Sequence, residues 1–263
     1  MKKIALLMAM CLTAAVSPSV FAAGEAPADV PAEWLAQVQQ DLQKAEYSLA
    51  WVENCALPGV DSAWHAPNRA HDFRTWFTGE GPMVVSRTAP ASGWVWGLEL
   101  TGLLQGTEKT DAPEVTGVTV EGNRISYRRD GLVEWYVNSE AGLEQGFTLE
   151  REISGNGQIT LEVGLRGNLE AGMATDGGSI EFLTGNGVGV INFGKLSVFD
   201  ATGKNLPATM TLSADGDAIE LWTDTTGAVF PVTIDPSPPA IPGPLRATRS
   251  TRSLVSPWPP RAT

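Results

Sequence analysis

The chain is dominated by short segments in which apolar and polar residues alternate. Within residues 118–138, three such segments are separated by the turn sequences EGN and RDG. Alternation with a period of two is typical of strands with one buried face, and Gly, Asn and Asp between such segments are typical of tight turns. The stretch therefore predicts three antiparallel strands. On the third strand we expect Trp135 to face the core, with Glu134 and Tyr136 on the opposite face.

Similar segments continue to residue 236, with Gly, Asn or Asp between most of them. Many short strands at regular spacing predict an all-β fold, and we expect a large antiparallel β-sandwich. The pattern leaves open whether the sandwich is single or a two-lobed supersandwich. The side chains expected to line the core are Ile125, Tyr127, Trp135, Phe147, Leu161, Val163, Phe182, Leu221, Phe230 and Ile234.

One segment near the N-terminus has a helical period instead. In residues 32–46, Leu35, Val38 and Leu42 recur every three or four positions among strong helix formers. We expect a single amphipathic helix here, with its apolar side packed against the sheet. From residue 47 the period changes to two, so the sandwich domain is expected to cover residues 47–236.

The first 22 residues predict export from the cytoplasm. Two lysines precede an apolar run, Ile4–Val16, which is too short to cross a bilayer and is followed by small residues ending at Ala22. This order is typical of a Sec signal peptide that is cut after Ala22. Residues 23–31 are then expected to form a flexible leader. We expect the protein to pass through the periplasm of a Gram-negative bacterium and to be secreted or held at the cell surface.

The charge of the exported part argues against nucleic acid as a partner. Between residues 23 and 236 the chain has 30 acidic and 12 basic side chains, and such a surface repels phosphate backbones and anionic lipids. The protein is not expected to be embedded in a membrane. Cys55 is the one cysteine beyond the signal peptide, so stability must come from a buried core and not from an intramolecular disulfide. We expect Cys55 to be a partly buried apolar residue.

The residue types that could carry catalysis form no recognisable motif. The only histidines, His65 and His71, lie in HAPNRAHD beside Asp72, and their spacing gives no reason for convergence on a metal ion. The glycines of GNGVG and the close pair Asp215 and Asp217 lack the other residues of a phosphate or calcium loop and are expected to form turns. We therefore predict no catalytic residue, no metal ligand, no cofactor and no enzymatic activity.

Tryptophan is the residue type best suited to recognising a ligand. The chain has nine tryptophans, and Trp94 and Trp96 stand two apart on one predicted strand face. Two indole rings on one face can stack on a sugar, whereas the same residues can also fill the core of a large β domain. Trp94 and Trp96 are therefore the candidate ligand-binding residues, provided that they are exposed to solvent. The partner would be a surface glycan or a protein.

Three stretches of the chain are distinctive in combination. They are HAPNRAHDFRTWFTGEGPMVVSRT, EWYVNSEAGLEQGFTLE, and LSVFDATGKNLPATM with the closing GAVFPVTIDP. Together they resemble the β-rich N-terminal region of large secreted bacterial proteins with FG-GAP (integrin-like) repeats. Looser versions of the closing motif precede repeat regions in Rhs-type toxins and other surface proteins.

This resemblance covers roughly residues 45–236 and implies a non-catalytic structural or adhesion-type module at the head of a larger surface protein. It transfers no catalytic residue. The first alternative is a carbohydrate-binding module that uses exposed tryptophans. The second is a glycan-active hydrolase, which would need His65, His71 or paired carboxylates to converge in a cleft.

Residues 237–263 differ in character from the rest, with seven Pro, four Arg and no acidic residue. In the proteins that the chain resembles, TIDP is followed by the first FG-GAP repeat, which contains SVATAGD. Codons for residues 243–263 can be chosen so that the reading frame shifted by one base gives WPAESDQIHALLGVSVATAGD. We therefore expect a frameshift near residues 237–242 and a disordered tail. The alternative is a genuine Pro-rich linker.

Overall fold

The computed structural model describes one helix and 18 strands, within residues 31–55, 57–88, 93–106, 108–153, 155 and 157–236. The helix is α1 (Ala32–Tyr47). The strands are β1 (Ala50–Glu53), β2 (Ser62–Asn68), β3 (Phe73–Thr78), β4 (Gly81–Ser86), β5 (Val95–Gln105), β6 (Glu108–Asp111), β7 (Gly117–Glu121), β8 (Arg124–Arg129), β9 (Leu132–Ser139), β10 (Gly142–Leu149), β11 (Gln158–Gly167), β12 (Glu170–Met173), β13 (Ile180–Leu183), β14 (Gly189–Phe193), β15 (Leu196–Phe199), β16 (Ala208–Leu212), β17 (Ala218–Asp224) and β18 (Val232–Pro236). The predicted signal peptide (1–22), all but the last residue of the predicted leader (23–31) and the tail (237–263) lie outside the described residues.

The chain divides into two compact units, residues 1–40 and 41–263. The described part of the first unit is the beginning of α1, in which Trp34 is exposed and Leu35 and Val38 are half-buried. The second unit contains the end of α1 and all the described strands. The packing of α1 against the sheet stays a prediction. No helix in the described part of the chain is long and apolar enough to cross a membrane.

The strands form three antiparallel sheets. The largest has nine strands in the order β1-β2-β3-β4-β5-β11-β17-β16, with β6 paired to β5. The second has six strands in the order β15-β18-β10-β9-β8-β7, and the third contains β12-β13-β14. The turn sequences EGN and RDG close the β7–β8 and β8–β9 hairpins, where Gly122 and Gly131 have φ values of 60° and 72°. Asp215 and Asp217 lie in the turn between β16 and β17, as expected.

The two larger sheets share one apolar core, which confirms the predicted antiparallel β-sandwich. The core cluster contains Leu98 from the nine-stranded sheet, Leu132 from the six-stranded sheet and Phe193 from the three-stranded sheet. Each such side chain contributes about 1.5–3 kcal/mol when it is fully buried. Eight predicted core residues belong to this cluster: Ile125, Tyr127, Phe147, Leu161, Val163, Phe182, Leu221 and Ile234. Phe230 is only half-buried and packs against the cluster.

Strand β9 turns the opposite face to the core from the one predicted. Its inward residues are almost fully buried and are Leu132, Glu134, Tyr136 and Asn138. Trp135 faces the other way and lies across Gly146 of β10, where a Cβ atom would be 2.1 Å from the indole ring. The Arg124 guanidinium carbon lies 4.2 Å from the centre of that ring. Trp135 is therefore buried on the outer face of its sheet and is not part of the shared core.

A network of polar side chains holds Glu134 inside the core. Arg129 Nη2 lies 3.2 Å from Glu134 Oε2, and the Tyr136 hydroxyl donates to Glu134 Oε1 at 2.6 Å. Gln145 Nε2 donates to the Tyr136 oxygen at 2.8 Å, and Arg129 Nη1 donates to the carbonyl of Pro113 at 2.7 Å. Burial raises the pKa of Glu134, while Tyr136 and Arg129 act in the opposite direction. These partners reduce the cost of keeping a carboxyl group in an apolar interior.

A separate set of buried hydrogen bonds joins the two large sheets. The side-chain amide of Asn138 donates to the carbonyls of Tyr47 at 3.0 Å and Pro67 at 2.9 Å. Asn68, at the end of β2, donates from Nδ2 to Asn138 Oδ1 at 2.9 Å. Both asparagines are fully buried. Directional hydrogen bonds therefore fix the position of β9 beneath β2, in addition to apolar packing.

We expect Asp235 on β18 to destabilise the fold at neutral pH. Burial, and then the nearby Glu144, raise the pKa of Asp235 from 3.8 to about 6. The folded state therefore binds this proton more tightly than the unfolded state, so stability falls as the pH rises from about 4 through 6. In urea unfolding, Asp235→Asn should have a higher free energy of unfolding than the unchanged chain at pH 8. At pH 4 the difference between the two free energies should be smaller. A difference that stays constant between these pH values would contradict this assignment.

Candidate functional site

One groove combines aromatic and basic side chains on the outer face of the nine-stranded sheet. Its volume is about 290 Å³, and the side chains that matter for its chemistry are Leu57, Pro58, Arg74, Trp76, Arg87 and Trp94. Trp76 packs with Leu57 and Ala63 in a small apolar cluster that is separate from the shared core. The connection between β1 and β2 supplies Leu57 and Pro58 and so forms one wall. We call this site the Arg–Trp groove.

The β3–β4 hairpin brings the two arginines of this groove together. Arg74 pairs with Val85 across the hairpin, and Arg87 follows two residues after Val85 on the same face. The Arg87 backbone N–H donates to the Asp72 carbonyl at 2.9 Å, and Arg87 Nε lies 3.4 Å from Asp72 Oδ1. Arg87 keeps 29% of its side-chain surface exposed, and Arg74 is exposed as well. The groove therefore presents two guanidinium groups, one of which is oriented by a carboxylate.

Asp72 is itself held in place, which makes the position of Arg87 well defined. Its φ of 52° is a left-handed conformation that is uncommon outside glycine but tolerated by Asp. The Thr88 hydroxyl donates to Asp72 Oδ2, so the carboxylate is anchored on the side away from Arg87. Asp72 thus acts as a positioning residue for the groove.

His65 lies behind the aromatic floor of the groove. Its ring centre is 4.3 Å from that of Trp76, its cross-strand neighbour on β3. Burial, and then the charge of Arg74, lower the pKa of His65 below its usual value of 6.5. The imidazole is therefore predominantly neutral at pH 7, and the positive charge of the site comes from the arginines.

The two candidate tryptophans, Trp94 and Trp96, are not exposed, so they form no open stacking surface, and their burial supports the alternative role in core packing. Trp96 is 2% exposed, and its ring packs against Phe182 at 5.3 Å and Phe193 at 6.4 Å in the shared core. Trp94 is 8% exposed and belongs to the shared core cluster, yet it also lines the edge of the Arg–Trp groove and a shallow groove beside Asn168. The structure therefore leaves Trp94 at the edge of a site and assigns Trp96 to packing.

The histidines and the aspartate of HAPNRAHD point to different places. His65 stacks on Trp76, whereas His71 Nε2 lies 2.9 Å from the carbonyl oxygen of Glu140 in the β9–β10 turn. Asp72 pairs with Arg87. Within the described residues, no group of three or more His, Cys, Asp and Glu side chains could hold a metal ion. Cys55 is half-buried and its Sγ lies 3.5 Å from the carbonyl of Val52, in agreement with the predicted packing role.

A second groove lies at the end of the sandwich near α1 and has a volume of about 480 Å³. It is lined by Glu46, Tyr47, Ser48, Gly122, Asn123, Ser139 and Glu140. Glu46 pairs with Arg69 at 3.4 Å. Burial, and then Glu46 and Glu140, raise the pKa of Tyr47. This groove is acidic like the rest of the surface and has no tryptophan in its lining, so it is the weaker candidate.

The Arg–Trp groove was not identified from the sequence, although one signal was present. Residues 69–87 contain three arginines and only two acidic residues, in a body where acidic side chains prevail. A local excess of positive charge of this kind suggests a site for an anionic group.

No protein-family model matches the chain, and neither the curated proteins nor the solved structures give a match.

Proposed function

We propose that the chain is a non-catalytic, adhesion-type module of a secreted or cell-surface bacterial protein. The observation that carries the proposal is the Arg–Trp groove, in which two accessible guanidinium groups lie beside the edges of two largely buried indoles, on strands that are paired on both sides. Such a lining offers positive charge and apolar contact for binding.

The hydrogen bonds that lower the pKa values of three aspartates support a structural role for these carboxylates. The pKa of Asp200 is lowered to about 2, chiefly because its carboxylate accepts a hydrogen bond from the Thr202 hydroxyl. Asp176 and Asp224 likewise accept hydrogen bonds from backbone N–H groups of the turns that follow them. These carboxylates stabilise turns.

The resemblance to FG-GAP repeat proteins is part of the same proposal. Its first stretch corresponds to β2–β4, its second to β9–β10, and its last to β15, β16 and β18. Strand β18, which contains the closing TIDP, pairs with β10 on one side and β15 on the other. A module that ends in an inner strand of its own sheet is suited to stand ahead of further domains.

Binding without turnover is the expected result for the purified chain. Applied to an array of bacterial and host surface glycans, the folded chain should be retained on at least one glycan class, and the heat-unfolded chain should not. Mass spectrometry should show that the bound glycans are unchanged after prolonged incubation. Shortened or modified glycans would contradict the non-catalytic assignment, and no retention on any glycan would contradict the adhesive one.

A further inference from the structure

We propose that the Arg–Trp groove binds an acidic saccharide, with the carboxylate of the sugar on Arg74 and Arg87 and the sugar ring against the apolar lining formed by Leu57, Pro58 and the edges of Trp76 and Trp94. This inference rests on the proposed adhesive function and names its ligand class. It is carried by three features of the groove: its charge relative to the rest of the molecule, the shape and chemistry of its lining, and the pairing of its strands.

The charge of the groove differs from that of the surrounding protein. The chain as a whole has 30 acidic and 18 basic side chains, whereas the groove has two arginines and one neighbouring carboxylate, Asp72. Asp72 contacts only the Nε side of Arg87, at 3.4 Å. The exposed Arg74 guanidinium has no ion-pair partner within 4 Å among the described residues. A carboxylate placed between the two arginines would complete the charge balance with planar, directional hydrogen bonds.

The remaining lining suits a ring that has an apolar face. Leu57 and Pro58 line the groove together with Trp76 and Trp94, whose rings are only 5% and 8% exposed and so present an edge to the groove and not an open face. A sugar acid has both parts that this lining demands, since its C–H face packs against apolar side chains while its carboxylate meets guanidinium. A volume of about 290 Å³ is at the lower end of the range for small-molecule sites, so we expect one or two sugar units to be recognised.

The strand pairing favours a saccharide over an acidic peptide. Extended peptides are commonly bound through backbone hydrogen bonds to an unpaired sheet edge. The groove lies on β3, β4 and β5, and each of these strands has a neighbour on both sides. Along the described strands of the groove, backbone pairing with a peptide is therefore not available, and recognition is assigned to side chains.

Calorimetry with the full chain tests the inference. The probes are trigalacturonate, its methyl ester, the neutral sugar maltotriose and hexaglutamate. We expect trigalacturonate to bind at least tenfold more tightly than the other three, and its binding to weaken as salt is raised, because the contacts are partly exposed. Equal affinity for the acid and its methyl ester would overturn the proposal, as would tighter binding of hexaglutamate.

Variants of the arginines localise the binding. Arg74→Gln should weaken trigalacturonate binding at least tenfold without changing the melting temperature, since Arg74 is exposed. Arg87→Lys should also weaken it, because lysine keeps the charge but not the planar fork that Asp72 orients. The matched control is Arg128→Gln on β8, which removes an exposed guanidinium paired with Glu150 at 3.1 Å and should leave binding unchanged.

The outcomes separate this inference from the proposed function. If Arg74→Gln binds trigalacturonate as well as the unchanged chain does, the ligand assignment to this groove is wrong, while adhesion through another surface stands. If the chain degrades trigalacturonate, the non-catalytic function itself is wrong. If no acidic sugar binds while the array retains the chain on neutral glycans, the ligand class is wrong and the adhesive function stands.

Discussion

Arg129→Leu is expected to lower the free energy of unfolding by about 3–5 kcal/mol, because it leaves the Glu134 carboxylate unpaired in the core. Arg129 and Glu134 have side-chain exposures of 8% and 1%, and their charged atoms lie 3.2 Å apart. The variant also loses the hydrogen bond from Arg129 to the carbonyl of Pro113. Urea unfolding followed by tryptophan fluorescence measures the loss.

The control is the double variant Arg129→Leu/Glu134→Leu. Replacing both members of a buried ion pair by apolar residues is often neutral or stabilising, so the double variant should recover more than half of the loss. The loss in free energy of unfolding of Arg129→Leu, relative to the unchanged chain, should also be smaller at pH 4 than at pH 8. Burial raises the pKa of Glu134, so its carboxyl group is increasingly protonated, and less costly to bury, as the pH falls. A double variant as unstable as the single one would show that the pair is not the cause.

Strand β9 shows why the sequence predicts strands better than it predicts their faces. The period of two and the flanking turns placed β8 and β9 correctly, since both signals are local. Both faces of β9 contain large apolar side chains, with Tyr136 on one and Trp135 on the other, so hydrophobicity alone does not distinguish them. The decision depends on partners outside the strand, such as Arg129 on β8 for Glu134 and Asn68 on β2 for Asn138. A pattern along one strand contains no information about these partners.

The sequence leaves the exposure of the two tryptophans open for a related reason. The sheet is covered on both faces near β3 and β5, by the shared core on one side and by the small cluster with Leu57 and Trp76 on the other. Alternation therefore places Trp94 and Trp96 on one face but does not reveal that this face is covered. The Arg–Trp groove needs the β3–β4 register and the β1–β2 connection, which bring together residues from 57 to 94. Only the folded chain shows that proximity.

Asn138→Leu is expected to lower the free energy of unfolding by about 3–5 kcal/mol, which is among the largest effects of any single substitution in this fold. The leucine removes both amide donors, so the carbonyls of Tyr47 and Pro67 lose their side-chain partner. It also removes the acceptor for Asn68, whose amide is fully buried. Each buried polar group left without a partner costs about 1–3 kcal/mol. Leucine is branched like asparagine and is the larger of the two, so a cavity does not explain the loss.

Asn123→Leu is the matched control, because Asn123 is the same residue type on the neighbouring hairpin and is only half-buried. Among the described residues, its side chain makes one hydrogen bond, from Nδ2 to the carbonyl of Asn138 at 2.7 Å. Removing a single partly exposed hydrogen bond should cost about 0.5–1.5 kcal/mol. Hydrogen exchange should then show weakened protection on β2 as well as β9 in Asn138→Leu, since the contact joins the two sheets, and no such change on β2 in Asn123→Leu. Equal losses in the two variants would mean that apolar packing alone holds the sheets in position, and that the buried amides do not.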